Sequence, residues 1–385
     1  MSTLRMNTTT RYVLLVFIVI IGLHSILSFT HEEYGRATSL KRITGQIPWS
    51  STSSIPEQYY HPNPAVNATR RANATILMLA RNSDTDNAVR SVRELEDKFN
   101  KNFQYPWVFL NEEPFSEEFK RRVSNVISGP VEFGLIPHDH WFQPDWIDEA
   151  KATAGREKMV QDRIIYGGSV SYRNMCRFNS GFFYRHSLLQ KYKWYWRVEP
   201  DVHFHCDIEF DPFLYMEDND KVYSFTITMY EYYATIPTLW DTVKKFTDMY
   251  PQFVSSDNSM GYLSDNGGET YNLCHFWSNF EIASMDFWRS EAYTKFFNFL
   301  DEAGGFYYER WGDAPVHSIG AGLFARKDQI HFWDNIGYEH NPYTHCPRGS
   351  GNWEKGKCAC DPKRSFDFDG YSCMRQWERI SPFQG

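Results

Sequence analysis

Short apolar runs alternate with amphipathic segments in the part of the chain that follows residue 72. Residues 74–80 form a run that is apolar except for Thr75 and typical of a buried strand, and an amphipathic helix follows through Val92 and Phe99. Residues 105–110 repeat the strand pattern, and residues 116–128 repeat the helical one. This β-α-β-α order predicts an α/β fold with a mostly parallel, doubly wound sheet flanked by helices.

Further elements follow along the chain. Charged residues at helical spacing predict a surface helix over about 146–166, and residues 176–192 predict a helix that leads into an aromatic strand at Trp194. Residues 223–228 alternate as a half-buried or edge strand would, and helix signals return at 288–300. The order of these elements suggests a half that binds a nucleotide sugar, followed by a half that binds the acceptor of that sugar, fused into one body.

The N-terminus carries a long apolar run over residues 12–29, just long enough to cross a bilayer. Arg5 and Arg11 precede this run and acidic residues follow it, so the positive-inside rule leaves the N-terminus cytosolic. A cleaved signal peptide is the alternative, but no Ala-x-Ala site ends the run. We therefore predict a retained, single-pass type II anchor with everything after residue 30 in the lumen.

This topology divides the chain into four parts. We expect a cytosolic tail at 1–11, the anchor at 12–29, a Ser-, Thr- and Pro-rich stem at 30–71 and a catalytic domain at 72–385. Glycosylation sequons at Asn67 and Asn73 agree with a lumenal location. The 7 cysteines should mostly pair there, leaving at least one free thiol, and their connectivity cannot be deduced from the sequence.

Composition narrows the function classes. A net charge of −8 argues against a nucleic-acid partner, which would need a basic surface. Aromatic residues make up 17% of the chain, and while most must be core, aromatic faces also line carbohydrate sites.

The aromatic run at 194–198 ends in Glu199, Pro200 and Asp201. Because proline cannot continue a central strand, both carboxylates should lie where the chain leaves the sheet. Ligands of open α/β sheets bind at that edge. Two carboxylates there suit a divalent cation that holds a diphosphate, although an exposed acidic turn would have the same sequence.

Other polar residues extend this predicted site for a nucleotide sugar. Arg81 and Asn82 follow the first strand, at the edge where α/β folds bind nucleotides, and an ordinary polar turn is the alternative. We predict that Arg197 and Asp201 join them in binding the donor. His340 is a candidate metal ligand beside the first carboxylate, or else a hydrogen-bonded loop histidine, and an imidazole with carboxylate and phosphate oxygens favours Mn²⁺ over Ca²⁺.

Two acidic residues further along are candidates for catalysis. Glu281 lies within an aromatic, apolar segment, so it must be paired, hydrogen-bonded or pKa-shifted. That environment suits a nucleophile or base near an oxocarbenium-like centre, and equally a structural buried carboxylate. Asp313 falls in a predicted turn with Arg310 and His317, where these groups would grip phosphate or acceptor hydroxyls, or brace the loop.

Long motifs in this chain resemble the fungal α-1,2-mannosyltransferases of glycosyltransferase family 15, over residues 72 to about 362. The strings are SYRNMCRF (171–178), WRVEPD (196–201), NLCHFWSNFEI (272–282), YERWGDAPVH (308–317) and GYEH (337–340). The resemblance implies a GT-A-like fold, a Golgi membrane location, Mn²⁺, and transfer of mannose from GDP-mannose to a terminal α-mannose of O- or N-linked glycans with retention of configuration.

The resemblance also implies residue roles. Glu199 and His340 match the Mn²⁺ ligands, and Tyr172 matches a tyrosine whose hydroxyl points toward the reacting sugar. Glu281 matches the proposed nucleophile, and in a front-face displacement it would stabilise positive charge instead.

Three other functions fit parts of the pattern. One is a metal-dependent transferase that uses another nucleotide sugar, and one is a catalytically silent, lectin-like protein. A glycosidase is the third, because paired carboxylates and aromatic rings would serve it equally well.

Overall fold

The computed structural model describes residues 55–60 and 70–381. Within them, the strands are β1 (Ala74–Leu79), β2 (Trp107–Asn111), β3 (Val131–Leu135), β4 (Trp194–Arg197), β5 (Val202–Phe204), β6 (Tyr223–Phe225), β7 (Thr228–Tyr230), β8 (Cys274–Phe276), β9 (Glu281–Ser284), β10 (Ile330–Phe332), β11 (Tyr338–His340) and β12 (Tyr343–His345).

The longer helices alternate with these strands. They are α1 (Thr85–Leu95), α2 (Glu117–Ser124), α3 (Glu149–Gln161), α4 (Val170–Gly181), α5 (Pro212–Asp218), α6 (Leu239–Met249), α7 (Glu291–Ala303), α8 (Asp313–Phe324), α9 (Ser350–Lys355) and α10 (Met374–Ile380). Short helical turns fill several of the connections between them.

A seven-stranded sheet in the order β10-β6-β9-β4-β1-β2-β3 lies at the centre. The pairs β3–β2, β2–β1, β1–β4 and β6–β10 are parallel, whereas β9 runs antiparallel to both β4 and β6. The predicted α/β fold with a mostly parallel sheet is therefore confirmed. β4 lies in the middle, so its carboxyl end opens at the centre of one sheet edge.

Alternate residues of the central strands pack on opposite faces of the sheet. Leu77 and Tyr195 belong to the hydrophobic core on one face, and Ile76 and Trp196 belong to the core on the other. Both faces are covered, and a strand buried on both faces favours apolar side chains on either side. This burial explains the continuous apolar runs in the sequence.

A second, smaller sheet carries the predicted histidine to the end of β4. β11 lies between β12 and β5, antiparallel to both, and His340 pairs with Val202. Because β5 begins one residue after Asp201, this pairing brings the imidazole to the turn that leaves β4.

Two disulfides fasten the C-terminal segment to the rest of the domain, and a third closes a loop within that segment. Cys206 is joined to Cys358, Cys274 to Cys373 and Cys346 to Cys360. Cys176, the remaining cysteine, is free and buried on α4. The prediction that most cysteines pair and one stays free is confirmed.

The described residues belong to one compact unit. Over 55–60 and 70–381, no helix has both the length and the apolar character needed to cross a bilayer. The predicted anchor at 12–29, most of the stem and the sequon at Asn67 lie outside the described residues.

Two secondary-structure predictions were wrong in part. The helix expected at 176–192 spans Val170–Gly181 instead, because Ser169 caps its start and a buried aromatic segment follows in two short 3₁₀ turns. The strand expected at the edge or half-buried, over 223–228, splits into β6 and β7, and β6 is fully buried. Its polar Ser224 is satisfied inside the core, donating to the Ile282 carbonyl at 2.8 Å and accepting from Trp333.

The disulfides allow a test of how the C-terminal segment is held. Replacing Cys274 and Cys373 by alanine opens a link across 99 residues, whereas replacing Cys346 and Cys360 opens one across 14. We expect the first pair to lower the free energy of unfolding by about 1–2 kcal/mol more than the second, because the longer loop restricts the unfolded chain more. Urea unfolding under non-reducing conditions measures this, and equal losses would contradict it.

Candidate active site

The chain leaves β4 through a sharp acidic turn. Val198 is fully buried, while the Glu199 side chain is 17% exposed and Asp201 is exposed. Asp201 adopts a left-handed conformation with φ of 68°, which turns the backbone directly into β5. The prediction that both carboxylates lie at the carboxyl edge of the sheet is thus realised by the fold.

Arg197, the last residue of β4, links two carboxylates in the interior of the site. Its guanidinium contacts Glu199 Oε1 at 2.6 Å and Asp313 Oδ2 at 2.6 Å, and the residue is only 8% exposed. Burial would lower the pKa of Arg197, but Glu199, Asp313 and Glu281 together raise it well above its ordinary value. The cation is therefore permanent.

Asp313 is the second anchor of this cation. It begins helix α8, where the positive end of the helix dipole favours a carboxylate. It also accepts a hydrogen bond from Ser278 at 2.7 Å. Burial acts to raise the pKa of Asp313, yet Arg197 and His317 outweigh it and hold this pKa below its usual value. The turn predicted for this segment is wrong, because Asp313 and His317 lie one turn apart on one helix.

Glu281 is fully buried on β9, directly opposite Arg197 in the register of the sheet. Its Oε1 accepts from the Tyr195 hydroxyl at 2.7 Å, and its Oε2 lies 3.0 Å from His317 Nδ1. Trp288 Nε1 in turn donates to the Tyr195 oxygen at 3.0 Å. Both carboxylate oxygens are therefore engaged by the protein.

The other nitrogen of His317 constrains where the protons lie. His317 Nε2 is 2.9 Å from the carbonyl oxygen of Asn179, which can only accept, so Nε2 carries a hydrogen. His317 thereby connects Glu281 on β9 to the backbone of α4.

His340 lies beside the acidic turn and contacts the side chain of Asn279. The amide Nδ2 is 3.0 Å from His340 Nδ1, while Asn279 Oδ1 is buried without a partner among the described residues. The amide oxygen and nitrogen of Asn279 are similar in size, and exchanging them lets Oδ1 accept a hydrogen from His340 Nδ1. His340 Nε2 then carries no hydrogen and keeps a free lone pair. Burial lowers the pKa of His340, although Glu199 and Asp201 oppose this effect.

Glu199 and His340 form a donor set that fits a cation such as Mn²⁺. Glu199 Oε2 accepts no hydrogen bond from the described residues, and a neutral imidazole with carboxylate oxygen suits this ion. Residues 55–60 and 70–381 hold no group of three or more His, Cys, Asp or Glu side chains arranged to hold a metal. The remaining ligand positions would therefore fall to phosphate or water oxygens.

The two predicted nucleotide-binding residues after β1 differ in how fully the protein itself satisfies their hydrogen-bonding groups. Asn82 uses both ends of its amide locally, donating to the Pro114 carbonyl at 3.1 Å and accepting from the Ser116 backbone at 2.9 Å. Arg81 is half exposed, and its guanidinium donates to Ser171 at 2.6 Å. Asn82 therefore braces a loop, and Arg81 remains half exposed although its guanidinium also lies 3.5 Å from Glu112.

Tyr172 lies in the first turn of α4, partly buried. The guanidinium of Arg310 is 5.2 Å from the centre of its ring, and the ring of Tyr166 stacks on it at 4.5 Å. Burial raises the pKa of Tyr172 well above its ordinary value, so its hydroxyl stays protonated. Because the Arg310 guanidinium also lies 3.9 Å from Glu231, Tyr172 lies beside this ion pair.

Several residues of the site were missed from the sequence. Tyr195 and Trp288 satisfy the buried carboxylate, Asn279 contacts His340, and Glu231 lies 3.9 Å from Arg310. Strand alternation would place Tyr195 on the same face as Arg197, but the register with β9 is a long-range property. The helical spacing of Asp313 and His317 was an available signal that the predicted turn obscured.

The chain was compared with known proteins. A family described as "Glycolipid 2-alpha-mannosyltransferase" matches residues 35–381. Glycolipid 2-alpha-mannosyltransferase 2 of Candida albicans is 54% identical over 307 residues, which is 80% of this chain and 67% of that protein. Alpha-1,2 mannosyltransferase KTR1 of Saccharomyces cerevisiae is 52% identical over 311 residues, 81% of this chain and 79% of that protein.

Among solved structures, Core-mannan synthase A from Aspergillus fumigatus, in its Mn/GDP form, superposes with a TM-score of 0.80. The sequences are 39% identical, and the match covers 86% of this chain and 92% of that one. The fold around the site described above is therefore shared with a protein that was crystallised with GDP and Mn.

The ion pairs of Arg197 can be tested by stability. Replacing Arg197 by methionine should lower the free energy of unfolding by about 3–5 kcal/mol, because two buried carboxylates lose their cation. Arg121→Met is the control, since Arg121 pairs with Glu118 at 2.8 Å on the surface and should contribute less than about 1 kcal/mol. Urea unfolding at neutral pH gives both values.

The same variant should change the acid sensitivity of the protein. The lowered pKa of Asp313 stabilises the fold above the ordinary Asp range, and that stabilisation disappears as the pH falls through the folded-state pKa. In Arg197→Met this stabilisation is absent, so the free energy of unfolding should fall less steeply with decreasing pH than in the wild type, and the difference between the two proteins should narrow. A difference in the free energy of unfolding that stays constant across about pH 2–6 would contradict this.

Proposed function

The chain belongs to the glycolipid 2-alpha-mannosyltransferase family of glycosyltransferases, and on this premise we propose that it transfers mannose from GDP-mannose to a terminal α-linked mannose of a glycan. We propose further that transfer retains the anomeric configuration and depends on Mn²⁺. The observation that carries the proposal is the meeting of Glu199, Arg197, Asp313 and His340 at the carboxyl end of β4. Relatives crystallised with GDP, and in one case Mn, support the choice of donor.

In this proposal Glu199 Oε2 and His340 Nε2 hold the metal. When bound, Mn²⁺ would neutralise charge on the diphosphate leaving group. Arg197 fixes the position of Glu199 through Oε1, and Asn279 orients the imidazole through Nδ1. Arg81, exposed at the same edge, is available to the nucleotide.

The buried position of Glu281 favours a role in charge stabilisation over a role as nucleophile. Its side chain is shielded from solvent, and Tyr195 and His317 occupy its two oxygens. A nucleophile would have to break one of these hydrogen bonds and reach the anomeric carbon. Tyr172 is more accessible, and we assign its protonated hydroxyl to the reacting sugar, with Glu281 acting from behind the Arg197 cation.

We also propose that the protein is a single-pass type II protein of the Golgi membrane, held by residues 12–29. Asn73 is exposed and suited to carry a glycan, but the hydroxyl of Thr75 in the same sequon is fully buried and donates to the Pro106 carbonyl at 2.9 Å. A glycan on Asn73 would therefore have to be attached before β1 joins the sheet.

Donor and metal can be tested together. The purified protein should transfer labelled mannose from GDP-mannose to methyl α-mannoside with Mn²⁺, forming an α-1,2-linked disaccharide, and EDTA should abolish the product. Unlabelled GDP-mannose should compete and UDP-sugars should not. Glu199→Ala and His340→Ala should each lose at least about 100-fold in kcat/KM, because each removes a metal ligand.

A binding measurement separates metal loss from misfolding. Calorimetric titration with Mn²⁺ and GDP should show weaker binding in His340→Ala, which leaves the ion pairs of Arg197 intact, with an unfolding midpoint close to that of the wild type. Metal-independent transfer by the wild type would contradict the proposed cofactor, and transfer from a UDP-sugar would replace the proposed donor.

Replacing Glu281 by glutamine tests its role. The substitution keeps the volume and an acceptor for Tyr195, so the protein should fold, while the charge that stabilises a developing cation is lost. We expect kcat to fall by about 10- to 1,000-fold with an unchanged KM for GDP-mannose. Retention of most of kcat would exclude both the nucleophile and a major electrostatic role, and addition of azide should not rescue the variant if no covalent intermediate forms.

A further inference from the structure

A row of aromatic side chains leads away from His340 along the surface of the domain. The ring centres of His340 and Trp277 are 5.1 Å apart, those of Trp277 and Tyr343 5.6 Å, those of Tyr343 and Tyr371 6.4 Å, and those of Tyr371 and Tyr232 6.1 Å. We call Trp277, Tyr343, Tyr371 and Tyr232 the aromatic rim. Its first three members are partly exposed and Tyr232 is 55% exposed.

The rim is assembled from four distant segments and held rigidly. Tyr371 lies two residues before Cys373, whose disulfide partner Cys274 lies three residues before Trp277. Tyr343 packs on the buried ring of Phe366 at 4.2 Å. Trp277, Tyr343 and Tyr371 pack against the hydrophobic core and keep part of their surface open to solvent, so the exposed parts of these rings are available to a ligand.

The far end of the rim returns to the candidate active site. Glu231 precedes Tyr232 and accepts its backbone hydrogen at 2.8 Å, and its other contact is the Arg310 guanidinium at 3.9 Å. Arg310 is 5% exposed, and its Nε has no hydrogen-bond partner among the described residues. Since this guanidinium also lies over Tyr172, the rim runs between the metal-binding edge and the proposed reacting centre.

The chemistry of this surface fits a carbohydrate chain. A pyranose has an apolar C–H face that packs on an aromatic ring and hydroxyls that need polar partners. The rim supplies a succession of rings, and the partly exposed carboxylate of Glu231 supplies an acceptor at the end nearest Tyr172. A single terminal mannose at the reacting centre would leave most of these rings without a ligand.

We propose that the aromatic rim binds the acceptor glycan beyond its terminal mannose, so that the protein recognises an oligomannose chain rather than one mannose. This inference rests on the proposed mannosyl transfer. The second and third sugars from the acceptor end stack on rings of the rim, while the terminal sugar lies near Tyr172 and Arg310.

Acceptor length is the variable that tests the proposal. Initial rates are measured with methyl α-mannoside and with the methyl glycosides of α-1,2-linked mannobiose and mannotriose, at saturating GDP-mannose and Mn²⁺. For the wild type we expect kcat/KM to be about three- to tenfold higher for mannotriose than for methyl α-mannoside, mainly through KM.

Variants of the rim should reduce this preference. Tyr232→Ala is expected to bring the ratio of the two kcat/KM values close to one, whereas Tyr232→Phe, which keeps the ring, retains most of it. Tyr233→Ala is the matched control, because Tyr233 is the next residue, is 64% exposed and makes no ring contact with the rim among the described residues. KM for GDP-mannose should stay unchanged in all three.

A second measurement does not depend on turnover. Saturation-transfer NMR of mannotriose with the protein and GDP should show contact at the second and third sugars in the wild type and its loss in Tyr232→Ala.

The outcomes separate this proposal from the proposed function. No transfer to any mannoside would overturn mannosyl transfer itself. Equal kcat/KM for all three acceptors would overturn the rim proposal alone. An equal loss of the preference for mannotriose in Tyr233→Ala would also overturn it, because the preference would then depend on the loop and not on the Tyr232 ring. A gain seen only with mannosylated peptides would assign the rim to the carrier peptide and contradict the proposal.

Discussion

The permanent cation of Arg197, held out of solvent between Glu199 and Asp313, is the interaction on which the site depends. Its partners come from the turn after β4 and from the start of α8, and a third carboxylate, Glu281, faces it from β9. A charge in this position is tolerated only with well-placed partners, and each partner is tolerated only with the charge. The sheet, the acidic turn and the helix are therefore fixed relative to one another by one electrostatic constraint.

Within this arrangement Glu199 and Glu281 differ in exposure and in hydrogen bonding. Glu199 keeps one oxygen free at the open edge of the sheet, while Glu281 is sealed beneath it with both oxygens hydrogen-bonded. Two residues of the same chemical type thus differ in what they offer, because one has an oxygen without a hydrogen bond from the described residues and the other has none. A similar division, set by the surroundings of each carboxyl group, underlies acid–base assignments in many enzymes.

Local sequence patterns were sufficient for the parts of the fold that depend on local physics. The central parallel strands are buried on both faces, so their apolar runs stand out, and Pro200 marks where β4 must end. The start of α8 was misread because Gly312 and Pro315 suggest a turn, although proline is well tolerated in the first turn of a helix. The contact of His340 with the acidic turn and the connectivity of the cysteines depend on antiparallel pairing between distant segments, which no local pattern encodes.

The pairing of β5 with β11 also has a consequence for biosynthesis. The disulfide partner of Cys206, Cys358, lies 152 residues further along the chain, and His340 lies on β11 in the same late part of the chain. While a ribosome is still extending the polypeptide, Glu199 has neither its imidazole neighbour nor the crosslink that secures the adjoining strand. The candidate active site can therefore be completed only when translation is nearly finished, and an unfinished chain carries no complete site.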